Sequence, residues 1–338
     1  MLRIKDLERF TTAANQPCKI VITTHHKPDG DALGSSLGLY HFLHNAGHQV
    51  QVISPTDYPY FLHWMPGNDT VYDFEKKSRE SLQAIAAADF IFCLDFNNLS
   101  RINDMAEPVR LAKAPKILID HHLLPQDFED ITFADFKACS TAELIYRFIK
   151  HLGRTDEITP AIANCLYAGI MTDTGSFRFD STTAEVHEII ADLIRHGANG
   201  NEVYDRIYNT NKLNRLQFIG YCLSQKLTIL PEYNAAYIAI TAEELRKYNI
   251  GTGDTEGLEN YALTIDGIRL AALIIDRTKL IKLSLRSKGA IAVNEICRDY
   301  FNGGGHKNAS GGSTTKSLEA TVQDFLNLLP HYKTVLTK

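Results

Sequence analysis

Residues Cys18–Ser36 read CKIVITTHHKPDGDALGSS: an apolar run, a turn crowded with histidine and aspartate, then small residues opening a new periodicity. The run Ile20-Val21-Ile22 is β-branched and predicts a buried strand. Pro28 and Gly30 halt strand and helix alike, so HKPDGD must turn. Beyond it Leu33, Leu37, Tyr40 and Leu43 recur at helical spacing, with Asp31 as the expected N-cap and Gly47 as the residue just past the helix end.

The same alternation continues through the first half. Apolar runs in QVQVIS, ADFIFCLDF and PKILIDHH predict further strands, and STAELIYRFIKHLG and TPAIANCLYAGIMTD predict helices, the second capped by Thr159 with Pro160 at its first position. Strands alternating with helices favour a mainly parallel sheet. From Ala184 to about Leu227 the pattern is helical except at GANGN. Strands KLTIL, NAAYIAIT, IRLAALIID and KLIKLSLRS follow, with a helix AEELRKYN, a glycine-rich loop and a closing helix SLEATVQDFLNLL. The expected organisation is an α/β N-terminal domain over residues 1–190, a helical connector over 191–228 and a smaller α+β domain over 229–338.

Bulk properties narrow the class. The chain has 338 residues, enough for two cores, with 44% hydrophobic and 22% charged residues. No apolar run approaches a membrane span, and the opening MLRIKDLERFTTAANQP reads as an amphipathic helix without a signal-peptide core. Six scattered cysteines with no CxxC pair form neither a disulfide framework nor a zinc ribbon. A cytoplasmic location is therefore expected. The net charge of −5 argues against a broad surface for long nucleic acids but leaves room for a small phosphorylated ligand.

Three strands deliver acids and imidazoles at their carboxyl ends: His25, His26, Asp29 and Asp31 after KIVIT, Asp95 after FIFCL, and Asp120, His121 and His122 closing KILID. In a parallel sheet those ends share one edge, where ligands bind. Aspartate and histidine without thiolates suit manganese, magnesium or iron. Crowded carboxylates repel unless cations lie among them. Asp173 closes a predicted helix before Thr174-Gly175, and Arg178 follows as either a surface charge or an anion contact. FNGGGHKNASGG carries five of the 21 glycines, and its successive amides could form an anion-binding nest. Arg286 in KLSLRS is a candidate bidentate phosphate partner.

HHKPDGDALGSS, CLDF, DHH and MTDTGSFRF resemble the four motifs of the DHH phosphoesterase superfamily, and GGGHKNASGG resembles the signature of its DHHA1 companion domain. The resemblance spans nearly the whole chain and is greatest to the bacterial nanoRNase and pAp-phosphatase group. It implies two divalent cations, usually Mn2+, with Mg2+ also compatible with these ligands. His25, Asp29 and Asp95 would hold one; Asp31, Asp95, His121 and Asp173 would hold the other, with Asp95 bridging. It further implies His122 at the substrate phosphate or leaving group, Asp120 orienting an imidazole, and Arg178 near the phosphate. In the second domain, Gly303, Gly304, Gly305, His306 and Arg286 would grip the substrate's phosphate end. Lys27, not an implied ligand, stands where many members carry asparagine or another polar residue, a difference that could alter how an incoming phosphate is met.

The implied activity is metal-dependent release of 5′-mononucleotides from very short oligonucleotides (nanoRNA or pApA-like dinucleotides), in the manner of a 3′–5′ exoribonuclease. Conversion of pAp to AMP is compatible with the same centre. The alternatives are an exopolyphosphatase or pyrophosphatase and, in another class, a non-catalytic nucleotide- or RNA-binding protein. Expected partners are short oligonucleotides or phosphorylated nucleotides, not long duplexes or membranes. An apolar helix in the connecting region could support a homodimer.

Overall fold

Alternation of buried residues along the N-terminal strands divides the first sheet into two apolar faces. Ile20, Ile22, Phe90, Phe92, Leu94, Ile117 and Ile119 join one core, while Val21, Ile91, Cys93 and Leu118 join another on the opposite face. A strand covered on both sides has no polar face, which is why FIFCL reads as a continuous apolar run. The structure, a computed structural model, describes residues 2–123 and 126–338.

The strands are β1 (Arg3–Lys5), β2 (Lys19–Thr24), β3 (Gln49–Ser54), β4 (Tyr72–Asp73), β5 (Phe90–Leu94), β6 (Lys116–Asp120) and β7 (Ile131–Ala134). They lie in the order β1-β7-β6-β5-β2-β3-β4, parallel throughout except for β1 against β7. The chain runs outward from β2 to β3 and β4, then returns to place β5 on the other side of β2. That reversal opens a crevice at the carboxyl ends of β2 and β5.

The helix Gly30–Asn45 leaves this crevice and is buried over most of its length. It lies against the helix Pro160–Asp173, where a Cβ on Gly34 would come within 2.5 Å of the Cys165 carbonyl oxygen. Glycine is required there by backbone contact rather than by an unusual φ. Asp29, not Asp31, is the N-cap: its Oδ1 accepts from the amides of Asp31 and Ala32. Asp31 sits one step inside the first turn because its side chain is taken by another helix, described below. Gly47 does follow the helix, at φ +91°. Thr159 caps Pro160–Asp173 as expected.

The opening stretch corrects the expectation of one helix. Arg3–Lys5 pairs with β7 and a short helix, Leu7–Ala13, follows, placing Leu7 and Phe10 in the core; Met1 lies outside the described residues.

The chain divides into two compact units, Met1–Thr210 and Asn211–Lys338. Helices Ala184–Arg195 and Gly200–Tyr208 place Val186, Leu193, Val203 and Ile207 in the first unit's core. The helix Leu213–Tyr221 places Phe218 in the second unit's.

The second unit is a six-stranded sheet of β8 (Leu227–Leu230), β9 (Ala235–Ile240), β10 (Leu270–Asp276), β11 (Ile281–Ser287), β12 (Gly304–His306) and β13 (Ala309–Thr314). Their order is β12-β13-β11-β10-β9-β8, antiparallel except for β9 with β10. Ile281, Leu283 and Leu285 of β11 point into the core beneath the helix Leu318–Leu336, which runs past the expected end and contains Pro330. The glycine-rich segment corrects another expectation: it is a β-hairpin, with His306 opposite Ala309 across the turn Lys307-Asn308. A Cβ on Gly303 would overlap the carbonyl oxygen of Gly311, so glycine here serves close strand approach. Among the described residues no helix is long and apolar enough to cross a membrane.

Candidate metal centre

Each acidic or imidazole side chain of the centre is delivered by the end of a regular element. β2 ends at Thr24 and hands on His25; Pro28 turns the chain, and Asp29 starts the helix. β5 ends one residue before Asp95, whose φ of +63° bends the backbone sharply at the strand end. Aspartate tolerates this left-handed conformation better than most residues. β6 ends in Asp120, followed by His121 and His122, and Asp173 is the last residue of the helix Pro160–Asp173.

These ends converge. His25 Nε2 lies 3.8 Å from Asp29 Oδ2 and 3.4 Å from Asp95 Oδ2. His121 Nε2 lies 3.4 Å from Asp95 Oδ1, 3.5 Å from Asp173 Oδ2 and 3.9 Å from Asp31 Oδ2. Among the described residues, His25–Asp29–Asp95 and Asp31–His121–Asp173 are two groups whose ligand atoms lie within 4.8 Å of one another. Asp95 thus turns one oxygen to each group. Asp31 and Asp95 are each only 2% exposed.

Backbone acceptors set the imidazoles. His25 Nδ1 lies 2.9 Å from the His26 carbonyl, and His121 Nδ1 lies 3.1 Å from that of Ala138. A carbonyl only accepts, so both Nδ1 atoms donate and both Nε2 atoms remain for the carboxylate side. His122 Nδ1 is 2.8 Å from Asp120 Oδ1, and the other oxygen of this buried carboxylate has no hydrogen-bond partner among the described residues.

The electrostatics are those of a crowded anionic cluster. Burial, reinforced by the charges of Asp95 and Asp173, pushes the Asp31 carboxyl well above its ordinary value. Burial pushes Asp173 up to about 7, against the opposing pull of His121. Burial also acts to raise Asp95, but hydrogen bonds from His121 and His25 outweigh it and hold this carboxylate well below the usual range. Burial would lower His25 and His121; their Asp95 contacts prevail and both are raised. The metal-free cluster is therefore partly neutralised by protons. A divalent cation can replace them, and a set of oxygen and imidazole donors without sulfur fits manganese or magnesium.

The segment Ala138–Ala142 lies outside the four motifs, yet it touches three of these residues. Besides the His121 contact, Asp31 accepts from the amides of Thr141 at 2.6 Å and Ala142 at 2.8 Å, and Thr141 Oγ1 donates to Asp95 Oδ1 at 2.9 Å. The signal available in sequence was the S-x-x-E start of a helix at Ser140–Glu143. Ser140 does cap that helix, Thr141–His151.

The remaining candidates lie elsewhere. Arg178 is exposed in the turn after Asp173, and its Nε donates to the Gly175 carbonyl at 2.7 Å. Lys27 pairs with Asp57. In the second unit, Arg286 Nη2 lies 3.2 Å from Oε1 of the buried Glu259, and its Nη1 donates to the Leu285 carbonyl. Gly303 leads into β12, which holds Gly304, Gly305 and His306 at the edge of the sheet.

Residues 19–170 match the model of the DHH family N-terminal domain, and residues 233–332 match that of the DHHA1 domain. A bifunctional oligoribonuclease and PAP phosphatase NrnA from Thermus thermophilus is 31% identical over 89% of this chain and 85% of its own. The Bacillus subtilis protein of that name is 29% identical over 87% of this chain and 88% of its own. A crystal structure of an exopolyphosphatase-related protein from Bacteroides fragilis superposes with a TM-score of 0.93, at 40% identity and covering 99% of both chains. The chain belongs to the DHH family, with a DHHA1 domain, and is a metal-dependent hydrolase of phosphate esters.

Proposed function

We propose that this enzyme hydrolyses very short oligonucleotides to 5′-mononucleotides, and pAp to AMP, with two divalent cations, Mn2+ foremost. The observation that carries this reading is the placement of Asp95, one oxygen facing His25 and the other His121. A carboxylate so placed can be shared by two cations, with His25 and Asp29 on one side and Asp31, His121 and Asp173 on the other. When bound, such a pair supplies positive charge for the phosphoryl oxygens and a water nucleophile at neutral pH.

The protein's own groups do the rest. Asp120 accepts from Nδ1–H of His122, so Nε2 would contact the phosphate. The imidazolium form, its charge offset by the Asp120 carboxylate, would give its Nε2 proton to the leaving oxygen. Arg178 would meet the scissile phosphate after turning from the Gly175 carbonyl. In the second unit, Arg286 and the Gly303–His306 strand would bind a terminal phosphate. Cytoplasmic action is supported by six buried cysteines, all free thiols.

The name of the Bacteroides fragilis relative favours a second reading, a polyphosphatase. One panel separates the two: purified protein with Mn2+, offered a 5′-phosphorylated dinucleotide, a pentanucleotide RNA, pAp and short inorganic polyphosphate, with Asp95→Ala as control. Mononucleotide release that is lost in the control supports the proposal. Turnover of polyphosphate alone moves the chain to phosphoanhydride hydrolysis.

A further inference from the structure

We infer that Thr141 is a positioning residue of the metal centre, holding Asp95 in the orientation that offers one oxygen to each cation. The inference rests on the two-cation reading above and extends it to a residue outside every motif.

The contacts of Asp95 with His25 and His121 are ones that cations on those imidazoles would replace, so its orientation needs a donor outside the ligand set. It lies among other carboxylates, and rotation about its side chain would carry its oxygens away from their present places beside His25 and His121. The Thr141 hydroxyl, fully buried, donates to Oδ1 at 2.9 Å. That contact leaves Oδ1 facing His121 while Oδ2 remains with His25.

Thr141 is itself held. Ser140 Oγ accepts from the Glu143 amide at 3.0 Å, and Glu143 Oε2 accepts from the Cys139 amide at 2.7 Å. Arg147 pairs with both Glu143 and Asp135 at 3.3 Å, bracing the turn from outside. The start of the helix Thr141–His151 is thereby fixed before any ligand arrives. Its first amides fix Asp31, the preceding Ala138 carbonyl orients His121, and the Thr141 hydroxyl orients Asp95. One short segment with no ligand of its own thus sets three candidate ligands, two just beyond the ends of β5 and β6 and one in the helix Gly30–Asn45. Groups that orient metal ligands in this way typically change affinity about 10- to 100-fold when removed.

The test compares wild type, Thr141→Val and Thr141→Ser by isothermal titration with Mn2+, with circular dichroism and melting of the metal-free proteins alongside. Valine retains the branched shape and removes the hydroxyl; serine retains the hydroxyl. The expected result is two cations per wild-type chain, affinity for the pair about 10- to 100-fold weaker in the valine variant, and recovery in the serine variant with unchanged folding. Equal affinity in wild type and the valine variant overturns the inference and leaves the two-cation reading standing. Equal loss in both variants also overturns it, because packing rather than the hydroxyl would then be responsible. Fewer than two cations in wild type overturns the two-cation reading and this inference with it.

Discussion

Asp95 Oδ1 stands 3.4 Å from His121 Nε2, and the same carboxylate turns its second oxygen to His25 at an equal distance. The relationship is produced by strand order: β5 lies between β2 and β6, so Asp95 emerges between the histidines that follow its two neighbours. The chemistry of the centre follows from that placement.

Charge neutralisation makes the centre pH-sensitive. The Asp31 and Asp173 carboxyls are raised, so the folded metal-free chain keeps protons that the unfolded chain has lost. Their stabilising contribution is complete below the ordinary value of 3.8 and is lost as pH climbs, through about 7 for Asp173. His25 and His121, also raised, have the same sign: their contribution is present below 6.5 and lost as pH rises through their folded values. Asp95 opposes this only at pH values below the ordinary carboxylate range. Cations must displace these protons, so the rise in Tm on adding Mn2+ should be small near pH ~5.5 and grow toward pH ~8. Thermal melts across that range check this; a pH-independent increment contradicts it.

Asp120→Asn should lower kcat by roughly 10–100-fold while leaving Mn2+ binding nearly intact. The carboxylate is 1% exposed and supports the proton on His122 Nδ1, and an amide preserves its shape without its charge. Steady-state kinetics beside a metal titration measure the two effects separately. An unchanged kcat would remove His122 from the proposed chemistry.

Arg286→Lys should raise KM about tenfold with kcat little changed, since lysine retains the charge but loses the planar fork. Lysine is preferable to alanine here because Glu259, 3% exposed, would otherwise keep a buried charge without its cation. Substrate-saturation curves with pAp decide; an unaltered KM would leave Arg286 a purely structural partner of Glu259.

Gly34→Ala should destabilise the fold by about 1–3 kcal/mol, because the new methyl meets backbone at the Cys165 carbonyl and cannot be accommodated by a side-chain rotation. For a unit of this size the melting temperature should fall by roughly 2–12 °C. Gly220→Ala is the control: beyond its chain neighbours and its own helix backbone, no described atom lies within 4 Å of its added methyl, and alanine suits a helix better. Equal melting of the two variants would refute the packing argument.

What could be read from the sequence followed from burial and order. β2, β5 and β6 are apolar runs because the sheet is covered on both faces, and the acids and histidines at their ends marked the crevice. The short strands β1 and β4, of three and two residues, carry too little pattern to be read. The glycine-rich segment misleads in isolation, since its glycines answer to a partner strand that local composition does not reveal. Asp31 looks like a cap until the amides of Thr141 and Ala142, more than 100 positions away, are seen to hold it. Thr141 was invisible for the same reason: polar residues at a helix start are common, and its contact with Asp95 spans 46 positions.

The central claim is that Asp95 is shared by two cations. Anomalous diffraction at the manganese edge from crystals grown with Mn2+ tests it most directly. The account predicts two peaks, one beside His25 and Asp29 and one beside Asp31, His121 and Asp173, with Asp95 contacting both. A single peak, or peaks away from Asp95, would contradict it.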